Sequence, residues 1–198
     1  MNESRTADRI DAHHHAVQFY GDETELFKTI GTFLSEGLVS GQPAIVIATP
    51  DHAAAVQDAL SSHLIDVARA RHLGDLIMLD AEETLATFMH NGTPDKLLFQ
   101  RQVGRLMEQA IRGRVRTPLR AYGEMVDVLW RRGQTDAAIR LEVMWNELAA
   151  MYSFSLLCGY AIGNFYKETS KIYDVCQQHS HVLGVDVIPG DAARHLRA

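Results

Sequence analysis

Ala44-Ile-Val-Ile-Ala48, followed at once by Thr49-Pro50, decides the architecture. An unbroken apolar, β-branched run is what a central parallel strand covered on both faces requires. A threonine with proline behind it then supplies a helix cap and a first-turn residue whose missing N–H costs nothing. The helix is expected to run to about Leu64. The same strand-then-helix unit recurs on either side. Upstream, Ala16-Val-Gln-Phe-Tyr20 reads as a first strand. Asp22 and Glu25 then form a capping box for a helix with Leu26, Phe27, Ile30, Phe33, Leu34 and Leu38 on one side. Downstream, Leu76-Ile-Met-Leu79 is a third strand, and Asp80 with Glu83 repeats the box for a short helix to about His90. Thr93-Pro94 is expected to start the next helix and Gly113 to end it. Pro118-Leu-Arg-Ala-Tyr122 reads as strand four, followed by two helical segments separated at Gly133. Tyr152 to Gly159 is strand five, and Ala161 to about Gln178 a closing helix. This alternation predicts an α/β fold of three layers, α/β/α, around a mostly parallel central sheet. Residues 1–12 read as a flexible N-terminal arm, 13–183 as one domain and 184–198 as a flexible tail.

The chain has 198 residues, 46% hydrophobic and 22% charged, enough for one domain with a sizeable core. A formal charge of −6 argues against a dedicated nucleic-acid binder, which needs a basic face. The arginines from Arg112 to Arg120 and the pair Arg131-Arg132 read as solvated surface. No apolar run approaches the ~20 residues of a membrane span, and no signal peptide opens the chain. A cytoplasmic protein without a membrane partner is expected. Cys158, inside Phe154-Ser-Leu-Leu-Cys158, reads as a small buried hydrophobe, and with Cys176 it makes no disulfide framework.

Chemistry concentrates after strand four. Glu124 sits just past the strand's C-terminal end, where open α/β sheets collect their ligands. At 100° per residue, Ala138, Leu141, Trp145, Leu148, Ala149 and Tyr152 share one helical face. Glu142 falls near the middle of that stripe, with Asn146 at its edge. A carboxylate there must be paired, protonated or ligand-bound, because an unpaired buried charge costs several kcal/mol or more. These residues are expected to converge on one largely apolar pocket at the C-terminal edge of the sheet. His15, Glu124, Glu142 and Asn146 would be its polar anchors, and Tyr20, Tyr122, Trp130 and Trp145 its walls. Tyr20 and Trp130 read equally well as wall and as core, whereas Trp145 reads more readily as core.

His15, Glu124 and Glu142, joined by His179 and His181, have the donor types of a metal site. No His-x-x-x-His or Glu-x-x-His pair lies on one helix face beside an acid, however. The spacing favours His15 hydrogen-bonded to a carboxylate, and no metal or other cofactor is expected. Cys176 lies near His179 without acyl-transfer surroundings, and Asp51 and Asp80 are explained as first-turn and capping residues. No catalytic residue is expected. The turn Gly21-Asp-Glu-Thr-Glu-Leu-Phe-Lys28-Thr29 stands where a phosphate loop would. Aligning Lys28-Thr29 with the end of such a loop puts Asp22 and Phe27 at both glycine positions. Backbone amides cannot then wrap a phosphate, and the extra acids repel it.

One family fits many short stretches in order. They are His15-Ala-Val-Gln-Phe-Tyr20, Phe33-Leu-Ser-Glu-Gly-Leu38, Ile47-Ala-Thr-Pro50, Leu79-Asp80-Ala81, Glu83-Thr-Leu85 and Tyr122-Gly-Glu-Met125. Leu129-Trp130, Arg140-Leu-Glu142, Trp145-Asn-Glu-Leu148 and Phe154-Ser-Leu-Leu-Cys158 complete the set. Together, over roughly residues 13–183, they resemble the MEDS domain, the sensory domain of methanogens and methylotrophs named after the repressor DcmR. The resemblance implies a degenerate relative of the RecA/KaiC-like ATPases that has lost its phosphate loop. Thr49-Pro50-Asp51 stands where KaiC-like ATPases carry catalytic glutamates. It also implies a regulatory module that senses small molecules of the hydrocarbon-derivative kind, in the company of histidine kinases, anti-sigma-type regulators or DNA-binding helices. These residues include no such output domain. A stand-alone, non-catalytic sensor is therefore expected, signalling through a partner protein or through its own state as a homo-oligomer. The competing expectations are a residual nucleotide binder and a protein-interaction module.

Overall fold

Ala44–Ala48 is strand β2, with all five residues buried, and it lies inside a six-stranded sheet. The computed structural model describes residues 14–114, 117–165, 170–184 and 188. The chain begins with β1 (His15–Tyr20), α1 (Glu23–Val39), β2, α2 (Pro50–Ser62), α3 (Val67–Leu73) and β3 (Leu76–Asp80). It continues through α4 (Ala81–Ala86), a small antiparallel hairpin of β4 (Met89–His90) and β5 (Thr93–Pro94), and α5 (Lys96–Ile111). Then come β6 (Leu119–Gly123), α6 (Met125–Arg131), α7 (Thr135–Ala149) and β7 (Phe154–Ala161). A 3₁₀ turn (Ile162–Phe165), α8 (Lys171–Gln177) and β8 (His181–Leu183) complete it.

The sheet runs β3-β2-β6-β7-β1-β8, and every pairing in it is parallel. Alternating side chains divide it into two cores. One face packs Val17, Phe19, Ile45, Ile47, Ala121, Leu156, Cys158 and Tyr160 under α4 to α8. The other packs Ala16, Tyr20, Val46, Tyr122 and Leu157 under α1, α2 and α3. The expected three-layer α/β/α arrangement is therefore present. No helix among the described residues is long and apolar enough to cross a membrane.

Several boundaries differ from the sequence reading. Thr93-Pro94 does not start a helix: it forms β5, and the side chain of Asp95 caps α5 through the Leu98 amide at 2.9 Å. β7 runs on through Ala161, so the closing helix is only Lys171–Gln177, after the 3₁₀ turn. The helix expected to about His90 stops at Ala86. Strand β8 and helix α3 went unread, because three and seven residues are too few to show a period. The arm expected over residues 1–12 lies outside the described residues. Of the tail expected over 184–198, Gly184 and Ile188 are described, and Ile188 is buried against the first core. Arg120, read as solvated, is instead a fastener of β6 to α1. Its guanidinium donates to the Phe33 carbonyl and to Gln42 Oε1 (2.8 Å) and lies 5.0 Å from the Phe33 ring centre.

Strand β8 docks on β1 through Ala16, Val17 and Gln18, and the chain leaves it at Gly184 with φ +72°. A β-carbon there would stand 2.0 Å from the Phe19 carbonyl oxygen. Gly184→Ala is therefore expected to lower unfolding free energy by about 1–3 kcal/mol in a urea titration. An unchanged midpoint would mean that β8 is not held against β1.

Candidate functional site

Glu142 is fully buried. Its place in the apolar stripe of α7 turns it onto the sheet, where β1 and β7 supply its partners. Tyr160 donates its hydroxyl to Glu142 Oε1 at 2.9 Å, and the Cys158 thiol reaches Oε2 at 3.6 Å. His15 Nε2 stands 3.2 Å from Oε2 and 3.4 Å from the Cys158 sulfur. His179, just past α8, brings Nε2 to 3.5 Å from Oε1, and its ring lies 4.1 Å from that of His15.

The ring hydrogens follow from the outer contacts. Asn146 Nδ2 donates to the Gln178 carbonyl (2.9 Å), which fixes the amide so that Oδ1 accepts from His15 Nδ1 (2.8 Å). His179 Nδ1 donates to the Val175 carbonyl at 2.7 Å. Burial holds His179 down at about 4, so the ring is neutral near neutral pH and its Nε2 carries a lone pair. Burial pushes the Glu142 carboxyl up, but the two imidazoles and the Tyr160 hydroxyl outweigh it and leave it below its usual range. Burial, reinforced by Glu142, drives the Cys158 thiol and the Tyr160 phenol well up, so both stay protonated.

A cavity of about 350 Å³ opens beside this cluster, lined by His15, Trp145, Asn146, Phe154, Leu156 and His179 among others. His15 and Phe154 are the first residues of their strands, so the cavity lies at the N-terminal edge of the sheet.

The C-terminal edge holds a second cluster. Glu124 follows β6 and accepts from the Thr49 amide, from His52 Nδ1 and from the Tyr122 hydroxyl (3.2 Å). Thr49 thus gives its N–H to Glu124, while its own side chain caps nothing. Burial alone would raise the Glu124 carboxyl, yet the hydrogen bonds from His52 and Thr49 win and hold it below the usual range. The bond to Glu124 raises His52 in turn. Asp127, one turn on, is also buried and accepts from the Ala161 amide (3.1 Å) and Asn164 Nδ2 (2.9 Å), with Arg131 Nε at 3.2 Å.

The eight residues expected at one pocket are thus divided. His15, Glu142, Trp145 and Asn146 gather at the N-terminal side of the first core. Tyr122 and Glu124 meet at the C-terminal edge. Tyr20 lies in the second core with Tyr122. Trp130 is core, its ring 4.4 Å from that of Phe165 and 5.6 Å from that of Tyr160. The single convergent site is therefore corrected to two. Glu142 faces the sheet from α7, whereas Glu124 turns to α2, which packs on the other face. His181 joins neither carboxylate; its Nδ1 lies 3.1 Å from Ser180 Oγ. His52 and Asp127 were missed. Both carried a signal: His52 lies one turn into a helix that starts at a strand's C-terminal end, and Asp127 is a lone acid within Met125-Val-Asp-Val-Leu-Trp130.

Fold and site define a three-layer α/β domain that collects buried ionisable side chains at both edges of a parallel sheet. The chain belongs to the MEDS family: the model described as MEthanogen/methylotroph, DcmR Sensory domain matches residues 14–180, most of its length. Its role is accordingly sensory or regulatory. No curated protein matches the chain.

The Glu124–His52 pair makes stability depend on pH. Glu124 is depressed, so its contribution is present above the ordinary 4.5 and is lost as pH falls through the folded value. His52 is raised, so its contribution is complete below the ordinary 6.5 and is lost as pH rises through the folded value. The stability difference between wild type and His52→Gln is expected to peak between those two ordinary values, 4.5 and 6.5. Urea titrations across pH check this, and a difference that stays flat would show the pair to be uncoupled.

Proposed function

We propose that this domain senses a small, largely apolar molecule in the cavity at the N-terminal sheet edge and passes its occupancy to a signalling protein. The observation that carries the reading is the cavity itself. Its volume, about 350 Å³, is that of a small-molecule site, with Trp145, Phe154 and Leu156 as apolar lining and His15 and Asn146 as polar anchors. Asn146 ties α7 to the carbonyl of Gln178 at the end of α8. A ligand that competes for the Asn146 amide or His15 shifts α7 against α8 and β8, and that displaced edge is the surface a partner reads. A histidine kinase or an anti-sigma-type regulator in the cytoplasm fits the sensory role of the family, as does a second copy of the chain.

The reading is one of binding without catalysis. At the start of α1, where a nucleotide phosphate would need free amides, Asp22 Oδ1 takes the Thr24 N–H at 2.8 Å. Two further acids, Glu23 and Glu25, stand in the same first turn and disfavour a polyphosphate.

Thermal shift assays with short-chain alcohols, aldehydes, amines and carboxylates test the reading, with ATP and Mg²⁺ as the competing ligand. At least one of the organic classes is expected to raise Tm by about 5–10 °C at roughly a hundredfold excess over Kd. Ala149 is exposed and lines the cavity, so Ala149→Trp fills it from the solvent side and is expected to abolish the shift while the unliganded Tm holds. A shift that survives Ala149→Trp, or one given by ATP alone, contradicts the proposal.

A further inference from the structure

Four side chains from four segments aim one donor atom each at a common point. They are His15 Nε2 from β1, Glu142 carboxylate oxygen from α7, Cys158 Sγ from β7 and His179 Nε2 from beyond α8. All these atoms lie within 4.8 Å of one another. The geometry points to a tetrahedral site for a divalent transition-metal ion of the zinc class, held by His15, Glu142, Cys158 and His179. This inference does not rest on the cavity binding an organic ligand.

Hydrogen-bond bookkeeping leads there first. The side chain of His179 is fully buried, and its Nε2 has no hydrogen-bond partner among the described residues. Its Nδ1–H is committed to the Val175 carbonyl, so the Nε2 lone pair is what faces the cluster. The Nδ1–H of His15 is likewise committed to Asn146, whose orientation Gln178 fixes. Two imidazole nitrogens and a carboxylate therefore converge, while only the Cys158 S–H and the Tyr160 O–H are at hand to separate them. An orphaned buried acceptor is costly in a core this apolar. A cation at the centre satisfies every lone pair at once.

Distances agree. Zinc bonds of about 2.0–2.3 Å put the edges of a tetrahedron at about 3.3–3.8 Å. Three separations match such edges: 3.2 Å (His15 Nε2 to Glu142 Oε2), 3.4 Å (His15 Nε2 to Cys158 Sγ) and 3.6 Å (Cys158 Sγ to Glu142 Oε2). His179 Nε2 lies 3.5 Å from the other carboxylate oxygen, Oε1, and within 4.8 Å of the remaining donor atoms. Donor types agree as well. Two imidazoles and a thiol with one carboxylate suit zinc and its neighbours, whereas calcium and magnesium ask for oxygen alone. Loading expels the Cys158 thiol proton to solvent, with no change of oxidation state. Two anionic and two neutral ligands then cancel the charge of a divalent ion, which suits a buried position.

The surroundings complete the set. Asn146 orients His15, the Val175 carbonyl orients His179, and the Tyr160 hydroxyl holds Glu142. Such outer contacts set ligand direction and basicity. The cavity lined by His15 and His179 supplies the path in.

The test uses the untagged chain, reduced, stripped with a chelator and titrated with Co²⁺, then Zn²⁺. One equivalent of cobalt is expected, with the intense visible bands of a tetrahedral ion and a near-ultraviolet sulfur-to-cobalt band, both removed by zinc. Cys158→Ser is expected to lose the sulfur band and Cys176→Ser to keep it. Asn146 is exposed, so Asn146→Ala folds and is expected to bind cobalt about 10–100-fold more weakly. Absence of stoichiometric cobalt from the wild type overturns the site. So does cobalt bound without a sulfur band, which would place it on surface histidines such as His14 and His181. If Cys158→Ser does not fold, the spectra of wild type, Cys176→Ser and Asn146→Ala decide.

Discussion

A carboxylate with no exposure to solvent, Glu142, constrains the structure more than any other group. An ion so placed costs several kcal/mol unless its neighbours replace the lost water. The replacement comes from three directions. The sheet contributes the Cys158 thiol and the Tyr160 hydroxyl as donors and sets the His15 ring alongside, α7 contributes Asn146 behind His15, and the segment after α8 places His179 at the other carboxylate oxygen. Each partner is useful only at one register of its element. The requirement to satisfy Glu142 therefore fixes α7 against β1 and β7, and α8 against α7. Hydrophobic packing alone tolerates sliding by comparison, because it is non-directional.

The other buried acids work by the same rule with a different outcome. Glu124 and Asp127 sit at the C-terminal edge, each bonded to a backbone amide and to a side chain. Glu124 closes the gap between β6 and α2 by joining Thr49 and His52, so the edge that often receives ligands in open α/β sheets is cross-linked here by the protein's own groups. At the N-terminal edge the polar groups border a cavity instead. The sensing proposal and the metal proposal share that edge. An ion held by His15 and His179 would stand in the wall of the cavity, and an occupant of the cavity would press on ligands of the ion.

Much of this was legible in the residues. The strand Ala44–Ala48, the helix start at Thr49-Pro50 and the Asp22 and Asp80 caps follow local rules and stand where expected, although the Thr49 side chain makes no capping bond. Glu142 announced itself as an acid inside an apolar stripe, and its pairing with His15 was the favoured outcome. What was not legible is long-range. His15, Glu142, Cys158 and His179 are far apart in sequence and come together only through the crossing of parallel strands under two helices. Spacing rules detect ligands on one helix face and are silent on such a set. Cys158 reads correctly as buried, but burial says nothing about which carboxylate lies above it. The separation of the expected residues into two clusters, with Tyr20 and Trp130 left in the cores, has the same origin: Tyr122 and Glu142 belong to opposite cores, and only the pleat decides which. Strand β8 gave no signal because three residues cannot show a period.

Glu142 must be ionised and matched by its partners in the folded protein. Equilibrium urea unfolding of Glu142→Gln against the wild type at neutral pH tests that directly, since glutamine keeps the shape and removes the charge. A loss of about 1.5–3 kcal/mol is expected, the size of hydrogen bonds made to a charged group. A loss below about 1 kcal/mol, the size of an ordinary hydrogen-bond change, would mean that the carboxyl is neutral and that the cluster is not built around its charge.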